Sequence, residues 1–195
     1  MMQNFDLNES ILVPYDKSYF EKARRWLQRE SVSKWLDMGL GKQKLSDIEL
    51  HVFLLNHNNK IFLYGPSEDN LVGLMCLNGF THRMGLGEVW GIRGEAGGSR
   101  YLTISAFLRV IATGFFDCNL ESISTWVAEP NFLSHKVHER CGFKPTGRLR
   151  QAYVLDGRRC DRILYDVTRE EFSRAYPNVL SFRKMKSATQ EGTEC

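Results

Sequence analysis

Closely spaced cysteines are missing from this sequence. Its five are Cys76, Cys118, Cys141, Cys160 and Cys195, an odd count with no C-x-x-C pair. Zinc sites and disulfide frameworks need clustered or evenly paired thiols, so this pattern argues against both, and for a reducing compartment. No apolar run approaches the roughly 20 residues that span a bilayer. No opening stretch carries the basic, apolar and small-residue regions of a secretory leader. A cytoplasmic protein without a membrane partner is expected. A large charge excess is also absent: 26 Lys+Arg stand against 23 Asp+Glu, a formal net charge of +3. Nucleic-acid binders usually concentrate basic charge on one face, so no nucleic-acid partner is expected. The single basic run, Arg183-Lys184-Met185-Lys186, precedes a polar stretch and reads as a solvated end. Repeats and Gly-, Ser- or Pro-rich linkers are lacking. The expected organisation is a flexible N-terminus at 1–10, a single domain at 11–182 and a polar tail at 183–195. A homodimer is an admissible assembly.

What is present is ordinary globular material, 43% hydrophobic and 25% charged over 195 residues, enough for one domain with a real core. Phe20, Ala23, Trp26 and Leu27 recur at helical spacing, predicting a helix or bent pair over 15–36. Ser46 with Glu49 three residues on marks a second helix running through Leu55. The period then changes to that of strands at 60–64, 71–80 and 87–93, with a turn at 65–70. A Gly-rich loop at 94–98 leads into a long apolar helix, 99–116. A strand at 122–128 and a helix opened by Pro130-Asn131 follow, the latter closing at Cys141-Gly142 with glycine as its left-handed cap. Asp156-Gly157 between 147–155 and 159–168 signals a hairpin. The order predicts a mixed α/β domain around one sheet.

Strand, Gly-rich loop and helix at 87–116 carry the first chemical signal. Backbone N–H groups at Gly97, Gly98 and Ser99, with the positive end of the helix behind them, suit a phosphate or pyrophosphate. Arg93 and Arg100 add charge-assisted donors.

A more specific signal follows. Asn131-Phe132-Leu133-Ser134 and then His138-Glu139-Arg140-Cys141-Gly142-Phe143 resemble the N-x-x-S … E-x-x-G-F helix of the GNAT acetyltransferases. Together with Gly147-Arg148, Asp156-Gly157 and Asp161-Arg162 in the final hairpin, they are most similar to the branch holding the ribosomal-protein N-terminal acetyltransferases. The resemblance covers roughly residues 60–172. It departs at the loop, where Gly98-Ser99-Arg100-Tyr101-Leu102-Thr103 stands against the family's Arg-Gly-x-Gly-x-Gly/Ala and puts bulky residues where phosphates approach backbone.

The resemblance implies a mostly antiparallel sheet with splayed central strands, Glu88–Arg93 and Ser122–Ala128, and helices on both faces. It implies acetyl-CoA as cosubstrate, no metal, and a small-molecule or peptide amine as acceptor. Free strand backbone near Ile92 and Arg93 would pair with the pantetheine arm, Asn131 would bond that arm, and Ser134 would lie near the thioester. Acyl transfer to an amine needs a base, an oxyanion site and a donor to the leaving thiolate. Glu88 on the cleft strand is the expected base, partly buried and turned inward, with Glu95 second. Ser134 is the expected general acid, and His138 the alternative at a position that often holds Tyr. Trp90, His82, Arg83, Arg148, Arg150 and Tyr153 are candidate acceptor contacts. Two other readings stay open on sequence alone: a non-catalytic CoA-binding or sensory module, and an acyltransferase using a longer acyl-CoA.

Overall fold

The computed structural model describes residues 9–96, 99 and 101–179. Seven strands form one sheet in the order β1-β2-β3-β4-β5-β7-β6. They are β1 (Ile11–Pro14), β2 (Lys60–Gly65), β3 (Gly73–Thr81), β4 (Leu86–Arg93), β5 (Ser122–Ala128), β6 (Lys144–Leu155) and β7 (Arg158–Thr168). Every neighbouring pair is antiparallel except β4 and β5, which run parallel. The helices are α1 (Phe20–Leu27), α2 (Glu30–Ser33), α3 (Asp47–Leu55), α4 (Leu102–Phe116), α5 (Phe132–Arg140) and α6 (Arg169–Ala175).

Strand alternation divides β4 between two cores. Trp90 and Ile92 point to a core built with Trp26 and Leu27 of α1 and Leu50 and Leu54 of α3. Val89 points to the opposite core, filled by α4 residues such as Phe107, Val110, Ile111 and Phe115 and closed by Phe143 and Phe172. Eleven of the α4 residues are buried, which explains why this helix is apolar all round.

Local chemistry accounts for most boundaries. Ser46 accepts from the Glu49 backbone N–H while Glu49 reaches back to Ser46, a capping box opening α3. Asp156 (φ 49°) and Gly157 (φ 77°) supply the two positive φ angles of a twist-matched hairpin turn. Gly142 at φ 89° ends α5. The expected helix over 15–36 is a short 3-10 turn followed by α1 and α2. Ser99 precedes the long helix rather than starting it: its hydroxyl accepts from Tyr101 N–H, and α4 begins at Leu102.

Two elements escaped the sequence reading, β1 and α6. Ser10, inside the stretch expected to be flexible, is fully buried and bonds Ser105 Oγ at 2.9 Å. Residues 1–8 of that stretch lie outside the described residues, as do the polar tail at 183–195 and the loop residues Gly97, Gly98 and Arg100. Among the described residues no helix is long and apolar enough to cross a membrane.

Candidate active site

β4 and β5 pair at three positions only, Leu86 with Ser122, Gly87 with Ile123 and Glu88 with Ser124. Beyond Glu88 they part, and the backbone N–H and C=O groups on the facing edges have no strand partner. A cavity of about 640 Å³ passes through this opening. On the α1–α3 side it is walled by Trp35, Asp37, Met38, Asn78, Glu88, Trp90 and Trp126. Thr103, Thr125, Asn131, Ser134, Lys136, His138 and Arg140 wall the α4–α5 side, while Ile92 and Arg93 line it at the end of β4. The sites expected at Glu88, Ile92, Arg93, Asn131, Ser134 and His138 therefore meet in one slot.

Their environments differ from what the spacing suggested. Glu88 is exposed rather than partly buried. It stands at the mouth on the α1–α3 side, opposite Asn78 of β3, beside a bulge that begins just after Asn78. Gly79 occupies that bulge at φ +63°, and a Cβ there would sit 3.3 Å from Glu88 Cγ.

Asn131 caps α5, its Oδ1 accepting from Ser134 N–H at 3.2 Å. That leaves its amide hydrogens, not its oxygen, for a ligand. His138 is almost fully buried among Phe107, Phe143 and Tyr165. Burial pushes its pKa down to about 4, so the ring is neutral at pH 7. Nδ1 lies 2.7 Å from the Ser134 carbonyl, an acceptor only, so the proton sits on Nδ1 and Nε2 is bare. Nε2 has no hydrogen-bond partner. With its Nδ1 proton held by the Ser134 carbonyl and Nε2 buried and bare, the ring has no free proton for the expected donor role. The Ser134 hydroxyl lies 3.3 Å from the same Nδ1.

Glu95 is tied away from chemistry. It accepts from Trp26 Nε1 at 2.7 Å and Arg25 at 3.3 Å, with Arg29 near its other oxygen. The Trp26 bond, opposed by burial and assisted by the arginines, holds its carboxyl below the usual range. Its role is to fasten the end of β4 to α1. Gly94 makes this possible, because a Cβ there would meet the Trp26 ring at 2.2 Å.

Several acceptor candidates are likewise structural. Arg148 pairs with Glu129 and with Asp161. Tyr153 donates from its hydroxyl to the Lys34 carbonyl at 2.7 Å. His82 stacks on Phe80. Cys141 is buried, and burial pushes its thiol up, consistent with packing rather than nucleophilic chemistry.

Sequence reading missed the Asp37–Arg162 pair at 2.5 Å, which roofs the α1–α3 side. Asp37 also accepts from Gly39 and Gly41 N–H, and Arg162 lies 4.0 Å over the Trp126 ring. Burial pushes the Asp37 carboxyl up, but the bonds from Arg162, Gly39 and Gly41 outweigh it and the net shift is downward. The D-M-G-L-G run after Trp35 was the available local signal for a carboxylate folding back onto its own loop.

Comparison with known proteins agrees with this geometry. The spermidine N-acetyltransferase from Vibrio cholerae, solved with CoA and spermine, superposes with a TM-score of 0.75 at 17% identity, covering 84% of this chain and 98% of that one. A spermidine/spermine N-acetyltransferase structure from the same organism, in complex with manganese ions, gives 0.72 at 17% identity, over 87% and 98%. At these identities the likeness establishes the fold. No curated protein sequence matches the chain. Residues 15–164 match the acetyltransferase (GNAT) domain. With most of its length accounted for by that match, the chain belongs to the GNAT acetyltransferase family, whose members move an acetyl group from acetyl-CoA to an amine.

Proposed function

We propose that this enzyme acetylates a primary amine carried on an apolar or aromatic body, by direct attack within the slot. The carrying observation is the parting of β4 and β5 over a cavity open to both faces of the sheet. The α4–α5 side suits CoA. Its free strand edges match a pantetheine amide, and Lys136 and Arg140, one turn apart on α5, form no ion pair with a described residue, leaving both for phosphate. Arg93 adds a third cation at the end of β4. When bound, acetyl-CoA supplies an activated acyl carbon with a thiolate leaving group.

The chain's own residues do the rest. Glu88 takes the proton that the amine nitrogen loses as its lone pair forms the N–C bond. β4 backbone N–H groups beyond Glu88 face the developing oxyanion. As the C–S bond breaks, its electron pair stays on sulfur; the Ser134 hydroxyl gives that sulfur a proton to make the free thiol and regains one from water. Asn131 amide hydrogens supply donors to the pantetheine carbonyls.

The acceptor class follows from the wall. Trp35, Trp90, Trp126, Val32, Leu36 and Met38 give it an apolar body. Among the described residues its two carboxylates are Asp37 and Glu88, and Asp37 is already neutralised by Arg162. One uncompensated carboxylate fits a single ammonium better than a polyamine. The Asn131…Ser134…Gly142-Phe143 helix also supports the ribosomal-protein N-terminal acetyltransferase-like branch, which would bring a peptide α-amine.

The test is calorimetric titration with acetyl-CoA, followed by thiol release with phenethylamine, spermine and a peptide bearing a free α-amine. Saturable binding and turnover on phenethylamine or the peptide are expected. Turnover on spermine alone would replace the acceptor class. Absence of acetyl-CoA binding would sink the transferase reading and favour a module that has lost the cosubstrate. For the base, Glu88→Gln is expected to lower kcat by roughly 10²-fold or more with acetyl-CoA affinity unchanged.

A further inference from the structure

Asn78 is absent from every motif, yet the fold sets it where the amine must arrive. It is the cross-strand partner of Glu88, so the two side chains leave the sheet on the same face. Both line the slot. The β3–β4 register breaks immediately after Asn78, and Gly79 takes a positive φ there with Glu88 packed against its Cα face. A bulge of this kind re-aims the adjoining side chains and is typical beside catalytic groups. Asn78 Oδ1 is buried and has no hydrogen-bond partner. A buried, unanswered acceptor is uncommon in a folded protein and calls for a ligand or a structural reason. No charged or polar group of α1–α3 bonds it.

We propose that Asn78 orients the attacking amine, its Oδ1 accepting one N–H while Glu88 accepts the other. This rests on the acetyl-transfer reading above and adds a residue to it. A neutral primary amine has two N–H bonds and one lone pair. With one hydrogen held by Asn78 and the other by Glu88, the lone pair points away from both acceptors and into the gap between β4 and β5. Only one of the two acceptors is basic, so the proton lost on attack has one destination. An amide oxygen beside the carboxylate also discriminates against tertiary amines, which have no N–H to give once neutral. Secondary amines can satisfy one acceptor only.

The experiment compares wild type, Asn78→Ala and Asn78→Asp, using the full chain and phenethylamine as probe. Thiol release gives KM for amine and for acetyl-CoA, and calorimetry gives the Kd of phenethylamine in the presence of CoA and of CoA alone. Asn78→Ala should raise amine KM and Kd about tenfold, as loss of one hydrogen bond to a buried partner does. CoA affinity should stay unchanged, and Asn78→Asp, which keeps an oxygen in place, should recover most of the loss. Unaltered amine affinity in Asn78→Ala overturns the proposal. So does an equal loss of amine and CoA affinity, which marks a structural role, or an Asn78→Asp variant as weak as alanine. If wild type binds phenethylamine and CoA but releases no thiol, the transferase reading fails while the calorimetric comparison still judges Asn78. If wild type binds CoA but no phenethylamine, the Asn78 proposal falls by itself.

Discussion

His138 shows how one residue couples the slot to stability. Its ring is neutral because burial removes the water that would solvate a cation, and its pKa lies at about 4 against 6.5 for a free histidine. The unfolded chain therefore binds a proton between these values that the folded chain refuses. The stability from keeping the ring neutral is complete above pH 6.5 and is lost as pH falls through 4. A depression of this size corresponds to something on the order of 3 kcal/mol. Urea midpoints of wild type and His138→Phe should diverge on the way from pH 7 to pH 4.5, with wild type losing more. Parallel pH profiles would show that His138 is solvated. Little of this was legible in the sequence. The H-x-x-x-G-F spacing located His138 on α5, but which flank of the helix meets Phe107 and Phe143 depends on how α5 seats against α4. Glu88 carries the same lesson: alternation fixed its face, whereas its exposure depends on what covers that face. Asn78 was invisible, because its meaning comes from a register across two strands.

The segment from Lys34 to Gln43 hangs over the acceptor side and is held by the terminal hairpin of β6 and β7. Tyr153 donates to its Lys34 carbonyl, Gln43 donates to the Val154 carbonyl, Lys34 pairs with Asp156, and Asp37 pairs with Arg162. The Asp37 pair is the least solvated of these ion pairs, with side chains 15% and 18% exposed. Asp37→Asn removes the charge and leaves Arg162, whose Nε already lacks a partner, without its counterion. The expected cost is about 2–4 kcal/mol, near the lower end for a buried pair because some water reaches it. Amine KM should rise severalfold with acetyl-CoA KM unchanged, since the roof touches one side of the slot only. An unchanged thermal midpoint would show that the clamp contributes nothing. Elements such as this hairpin were readable, because Asp156-Gly157 encodes its own turn, as Ser46 and Glu49 encode the start of α3. Thr168 and Glu171 form an equally good capping box for α6, and that signal went unread where a strand runs straight into a helix. β1 was not readable: four apolar residues ending in proline have no period long enough to separate strand from coil. The clamp itself joins residues 125 apart in sequence, beyond any local pattern.

At the scale of the whole molecule, the sheet consists of two parts joined along a short seam. β1 to β4 with α1–α3 make one, β5 to β7 with α5 and α6 the other, and three residue pairs between β4 and β5 connect their strands. α4 reinforces the seam by packing across β3, β4 and β5. Gly114 lets it lie close there: a Cβ would meet Ile123 of β5 at 2.7 Å and Leu77 of β3 at 3.2 Å. A ligand lying in the seam would pair with both edges and complete the sheet, so CoA should act as a missing strand between the two parts. At a hundred times its Kd, CoA adds about 2.7 kcal/mol by mass action. For a chain of this size that corresponds to a rise of roughly 5–10 °C in Tm. Where the protection appears is more telling than how much. Amide exchange should slow at both Val89–Arg93 and Thr125–Ala128, because bonding to one edge alone would leave the seam open. Protection confined to β4, or spread evenly through α1–α3, would mean that CoA sits elsewhere and that the parting of the strands is not the cosubstrate's place.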